Sequence, residues 1–195
     1  MINTLINGLC LGGIFALIAL GYTMVYGIAK MLNFAHGDII MVGAYAILTT
    51  LSLTGLTVPA VVVAVVVCTL LGIVTEKVAY RPLRGASPLA VLITAIGVSY
   101  FLQNVALIIF GSTQLPFDKD KKLFDLPVVK FGKVEINGIT LLTLIVTAVI
   151  MVGLTLFINK TKMGKAMRAV SEDKEAAELM GISVNKTISV TFAIG

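Results

Sequence analysis

The run IIMVGAYAILTTLSLTGLTVPAVVVAVVVCTLLGIVT, residues 39–75, contains no Asp, Glu, Lys or Arg. About 20 consecutive apolar residues cross a bilayer as a helix. The run is long enough for two crossings if it turns in the middle. Thr54-Gly55-Leu56-Thr57-Val58-Pro59 supplies the turn. Its proline stands at the start of the next helix, where a missing N–H costs nothing. The second half is dense in valine, a composition that in water suits a buried strand. Its length and its lack of apolar–polar alternation favour a membrane helix.

The composition of the whole chain agrees. Of its 195 residues 58% are apolar and 13% charged, tryptophan is absent, and the mean hydropathy is +1.03. A soluble domain carries about a quarter charged residues. Residues 5–28, 89–111 and 139–159 make three further apolar spans beside the pair at 39–56 and 58–75. The expected fold is therefore all-α: one polytopic transmembrane helical bundle over residues 1–195, with five complete spans and the start of a sixth. Residues 188–195 are apolar but too short to cross. A helix cut at mid-depth would leave carbonyls unpaired in lipid, so further helices are expected beyond this sequence. Met1-Ile2-Asn3 is too short and neutral for the start of a signal peptide, so the first span reads as uncleaved. Gly8, Gly12, Gly13 and Ala16 give it a small-residue face for close packing. Cys10 and Cys68 lie inside apolar runs and read as small core residues.

The polar interruptions carry the functional candidates. AKMLNFAHGD, residues 29–38, breaks the apolar pattern with Asn33, the single histidine His36, Gly37 and Asp38. Polar groups at membrane depth are functional candidates by default, and broken helices place helix ends at transport sites. Asn33 and Asp38 also suit a turn and an N-cap, a purely structural role. Gln103 and Asn104 lie mid-helix in the fourth span and need partners in the bundle or a wet cavity. EKVAYRPLRGASP, residues 76–88, reads as a basic loop in which Arg81 and Arg84 set topology. Residues 112–138 form a long polar loop, and VVKFGKVEI within it alternates around Gly132 as a small hairpin would.

Residues 160–186 form another polar loop, holding one short helix. Ser171 is placed to N-cap it, with Glu172 and Asp173 in the first turn and Gly181 as the stop. Ala176, Leu179 and Met180 share an apolar face, and Lys174, Glu175 and Glu178 line the other. A helix this short is marginal alone, so its apolar face is expected to dock in a partner's groove.

Ten of the fifteen Lys and Arg fall in or beside the 29–38, 76–88 and 160–186 segments, and five in the 112–138 loop. The positive-inside rule then puts the 160–186 loop in the cytosol, and the 112–138 loop and the N-terminus outside. With the basic residues at membrane-flanking positions, the net charge of +5 requires no nucleic-acid partner. An intramembrane enzyme is disfavoured: there is no second histidine, no metal-ligand set and no nucleophile beside a base. No phosphate-binding glycine loop followed by Lys-Ser or Lys-Thr occurs, so any ATP hydrolysis belongs to a partner.

Several motifs coincide in order along the chain. They are Gly21-Tyr22-Thr23-Met24-Val25-Tyr26-Gly27 with Asn33-Phe34-Ala35-His36-Gly37-Asp38, and Glu76-Lys77-Val78-Ala79-Tyr80-Arg81-Pro82-Leu83-Arg84. Ala95-Ile96-Gly97-Val98-Ser99 and Phe101-Leu102-Gln103-Asn104 follow. The segment from Met163-Gly164 to Gly181-Ile182 closes the set. Its Glu175-Ala176-Ala177 with Gly181 is similar to the first half of the loop by which importer permeases dock on their ATPases. The second half of that motif, Ile-x-Leu-Pro, is absent.

Together these resemble the LivH-type permease of branched-chain amino acid ABC importers. The resemblance implies a multi-pass subunit of a bacterial or archaeal inner membrane that carries Leu, Ile and Val inward and needs no cofactor. It implies a homologous second permease subunit, two cytosolic ABC ATPase subunits and a soluble substrate-binding protein as partners. It also implies an ATPase-coupling role for Gly164, Glu172, Asp173, Glu175, Ala176, Ala177, Leu179, Met180 and Gly181. Related permeases carry urea or short amides, and residues 33–38 do not separate these substrates. A channel or secondary transporter without an ATPase is the other reading, weakened because only Asp38 offers an intramembrane relay.

Overall fold

No charge and no proline interrupts the first apolar run, and it folds as one helix, α1 (Ile2–Ala29). At about 1.5 Å per residue it exceeds the roughly 30 Å hydrocarbon thickness. The structure, a computed structural model, describes residues 2–113, 129–131, 134–136 and 138–195. Lys30 ends α1 by taking a left-handed φ of 57°, and its N–H donates to the Tyr26 carbonyl at 2.9 Å. Non-helical backbone follows until α2 (His36–Thr54). Gly55, at φ 67°, then turns the chain into α3 (Thr57–Thr75), as the sequence suggested.

The 76–88 segment is not a loop throughout. Helical winding continues from α3 as a π turn, Glu76–Tyr80, and a 3-10 turn, Arg81–Leu83, so the apolar span runs to Leu83. Charges at Glu76 and Lys77 suggested an exit, but Glu76 and Tyr80 are buried and hold the segment against the bundle, while Lys77 and Val78 face outward. Pro82 has no N–H to give a helical ladder, and the winding stops one residue later, at Leu83. A short link leads to Ser87, whose hydroxyl accepts from the Ala90 N–H and caps α4 (Pro88–Phe110). Two short strands, β1 (Val129–Phe131) and β2 (Val134–Ile136), pair antiparallel with Lys130 opposite Glu135. This is the expected hairpin. Gly132 itself and most of the 112–138 loop lie outside the described residues.

The chain then forms α5 (Gly138–Lys160), α6 (Lys162–Glu172), α7 (Lys174–Leu179) and α8 (Val184–Ile194). Among the described residues five helices are long and apolar enough to cross a membrane, in keeping with the expected all-α bundle. The buried core lies toward one end of it. Met24, Val25 and Ile28 of α1 meet Tyr80 from the π turn, Met167 and Val170 of α6, Ala177 of α7, and Ile188 and Phe192 of α8. Elsewhere the spans expose large apolar side chains, such as Leu5, Phe15, Val65, Ile93 and Ile108. Apolar surface of this extent is suited to lipid or to other apolar helices rather than to water.

Candidate functional site

The end of α1, the break and the start of α2 bring one polar group together. Asn33 is 3% exposed, and its Oδ1 accepts a hydrogen bond from the Tyr80 hydroxyl at 3.0 Å. His36 is buried against Gly21 and sits edge-on to Tyr22, ring centroids 6.2 Å apart. Asp38 is buried, and its Oδ1 accepts from Gln103 Nε2 at 3.0 Å. The same Gln103 nitrogen donates to Ser99 Oγ at 3.1 Å. The second Asp38 oxygen is buried with no partner among the described residues. Asp38 is not the N-cap: Ala35 holds that position without a side-chain bond, and Asp38 lies in the first turn of α2. There its charge still meets the favourable end of the helix dipole. Two expected residues fall outside the group. Gly37 is exposed, and Asn104 turns back onto its own helix, donating to the Tyr100 carbonyl at 2.7 Å.

A cavity of about 630 Å³ adjoins this group, lined by Asn33, His36, Ile40, Ala64, Cys68 and Phe192 among others. Its surface is mainly apolar, with a few polar groups, Asn33 and His36 among them. That is the usual make-up of a site that takes a small molecule with an apolar body and a polar end.

The polar segment after α5 differs from the single helix read from sequence. Thr161 caps α6, its hydroxyl accepting from the Gly164 N–H at 3.0 Å. Gly164 is buried, and a Cβ there would collide with the Ile158 backbone, so the residue permits the tight α5–α6 corner. Ser171 is inside α6, donating to the Arg168 carbonyl, and Glu172 is that helix's last residue. The cap of α7 is Asp173, whose Oδ1 accepts from the N–H groups of Glu175 and Ala176 at 2.9 and 3.0 Å. Both residues are capable caps two positions apart; the amphipathic α6 claims Ser171 because Met167 and Val170 bury its other face.

The apolar face of α7 also divides differently. Ala177 packs into the core at 3% exposed, Ala176 is exposed, and Leu179 and Met180 stand 87% and 83% exposed. Glu175 and Glu178 are exposed as well. Gly181 stops the helix as expected, at φ 79°. Its N–H donates to the Glu178 carbonyl and that of Ile182 to the Ala177 carbonyl, the bond pair of a Schellman cap.

Two contacts that the sequence reading missed tie this segment to the spans. Lys174 Nζ donates to the Ala29 carbonyl, the last of α1, at 3.1 Å. Burial holds the Lys174 ammonium below the usual lysine range, and the nearby Arg84 and Lys30 charges add to the effect. Glu76, fully buried, pairs with Arg84 Nη2 and accepts from Ser189 Oγ at 2.6 Å. Arg84 Nη1 in turn bonds the Asn185 side chain. Arg84 is thus a structural clasp between the α3 extension and α8, beyond the topology role read for it. The one sequence signal was a lone glutamate at the end of an apolar run, eight residues before an arginine.

The five apolar spans among the described residues, with a buried polar break between the first two, define a multi-pass helical membrane protein. The family described as branched-chain amino acid transport system / permease component matches residues 4–195, and the chain belongs to it. It is 41% identical over 213 residues to the high-affinity branched-chain amino acid transport system permease protein BraD of Pseudomonas aeruginosa, covering 100% of this chain and 66% of that protein. Identity to LivH of Escherichia coli strain K12 is 40% over 208 residues, with the same coverage. To a probable LivH of Methanocaldococcus jannaschii it is 36% over 184 residues, covering 88% of this chain and 55% of the relative. The chain thus spans just under two thirds of the length of the first two. No solved structure matches it.

Proposed function

We propose that the chain is the membrane part of an ATP-driven importer for branched-chain amino acids, coupled through the tip of α7 to a cytosolic ATPase. In this reading it sits in a bacterial or archaeal inner membrane, with its N-terminus and the 112–138 loop outside and residues 160–186 in the cytosol. It works with a homologous second permease subunit, two ATPase subunits and a soluble binding protein, and itself performs no chemistry. The relatives' printed names support the substrate class.

One observation carries the coupling role: Leu179 and Met180 are almost fully exposed at the end of a helix whose other side is anchored to the bundle. Burying two such side chains in a partner's groove contributes about 3–5 kcal/mol before the costs of association. The mainly apolar cavity beside Asn33 and His36 suits a substrate with an aliphatic side chain and a charged end.

The test uses the full-length permease coexpressed with its ATPases. Leu179→Asp with Met180→Asp is expected to abolish ATPase copurification and leucine uptake while folded yield holds, because neither side chain packs in the core. Ala177→Glu is expected to lower folded yield instead, since it would bury a carboxylate in the core. Full association and uptake in the Leu179/Met180 variant would sink the coupling role. Uptake of urea without leucine in proteoliposomes would sink the substrate class.

A further inference from the structure

A second cavity, of about 360 Å³, lies between the end of α1 and the start of α4, where these apolar spans stop. Three cationic residues line it: Lys30, Arg84 and Lys174. The rest of its wall is largely apolar, including Tyr26, Pro88 and Leu92. Among the described residues the one carboxylate bonded to any of the three cations is Glu76, already shared between Arg84 and Ser189. The local balance is therefore two positive charges in excess.

Donors outnumber acceptors in the same way. Lys174 gives one of its three ammonium protons to the Ala29 carbonyl. Arg84 uses both terminal nitrogens, but its Nε is buried with no acceptor. Lys30 is exposed, and no carboxylate among the described residues lies within ion-pair distance of it. A buried guanidinium N–H without an acceptor is costly, and the group that would relieve it is an anion rich in acceptor oxygens. The apolar wall beside the cations gives such an anion a hydrophobic body. Basic pockets between membrane helices at the level of the headgroups have this composition when they hold lipid.

We infer that this cavity binds a phosphate group, carried by an anionic phospholipid whose acyl chains lie between α1 and α4. A zwitterionic headgroup fits poorly, because it would bring its own ammonium among three cations. Free inorganic phosphate shares the acceptor chemistry but would leave the apolar wall uncovered.

The experiment titrates full-length permease in detergent with phosphatidylglycerol, phosphatidylcholine and inorganic phosphate, reading binding by native mass spectrometry and calorimetry. Wild type is expected to retain phosphatidylglycerol over phosphatidylcholine. Lys30→Gln, at an exposed side chain outside the core, is expected to weaken that retention about fivefold, and Lys174→Gln by a similar factor. Binding of inorganic phosphate that both variants weaken, without lipid selectivity, would confirm the phosphate chemistry and make the source free phosphate. Equal retention of the two lipids with no phosphate binding, or unchanged selectivity in both variants, overturns the assignment.

Discussion

Lys174 reaches across 145 residues of sequence to hold the final carbonyl of α1 at Ala29, from a helix that lies outside the spans. The last carbonyls of a helix lack intrahelical partners and carry partial negative charge, so a lysine there is stabilising. The contact gives α7 a direct hold on the edge of the 30–35 break. Lys174→Met keeps much of the aliphatic stem and removes the donor, at a cost of about 1 kcal/mol. Leucine uptake is expected to fall several-fold while ATPase copurification is retained, because Leu179 and Met180 are untouched. Assaying both on one preparation checks this; unchanged uptake would show that the contact only supports the fold.

The same lysine should show its surroundings in its titration. Burial first, then Arg84 and Lys30, hold its pKa below the ordinary value of 10.5. The unfolded chain therefore binds the proton more firmly than the folded one. The stability linked to this group rises as pH climbs from the folded value to 10.5, and is lost as pH falls through the folded value. Its amine should accordingly be acylated at lower pH than in a peptide of the same sequence. Lys30→Gln removes one repelling charge, so the labelling midpoint should move upward. Competitive acylation followed by mass spectrometry reads this directly, and a downward or absent shift would contradict it.

The Asp38–Gln103 bond joins α2 to α4, 65 residues apart. Gln103→Leu leaves both Asp38 oxygens buried without a partner, a loss of about 3 kcal/mol or more for a charged group. Asp38→Asn keeps an acceptor for Gln103 and removes the charge, so it should tolerate that change far better. Thermal stability in detergent is expected to drop sharply for Gln103→Leu, stay near wild type for Asp38→Asn, and recover in the double variant. A stable Gln103→Leu single variant would show that water or another group already serves Asp38.

For topology, a cysteine at Glu178 should react with an impermeant thiol reagent only in inside-out vesicles, and one at Gly55 only in whole cells. Labelling of the Glu178 site in whole cells would reverse the proposed orientation. The background for this test replaces Cys10 and Cys68 with alanine.

The spans and their turns were legible because lipid imposes one rule, long uncharged helices, and leaves the residues that break it conspicuous. Gly181 was legible for a local reason, since one residue's φ decides where α7 stops. The Tyr80–Asn33 and Asp38–Gln103 bonds were not, because they depend on which faces of separate helices meet. Glu76 misled for a related reason. A charge at the end of an apolar run marks an exit from lipid unless its counter-charge returns to it, and here Arg84 does, after a π turn and a 3-10 turn that no simple helical period anticipates. Ala177 was likewise hidden, because the face of α7 that is buried is chosen by α6 and α8 rather than by its own composition.

The burial of Glu76 has a consequence for biosynthesis. A ribosome extends the chain from the N-terminus at roughly 5–20 residues per second. Arg84 emerges almost at once after Glu76, but Ser189 is 113 residues later. For roughly ten seconds at such rates, the nascent chain holds a carboxylate with its cation and without its hydroxyl. The segment that becomes α8 completes that shell when it arrives, so the insertion machinery meets an unfinished polar junction at the end of α3 until α8 is made.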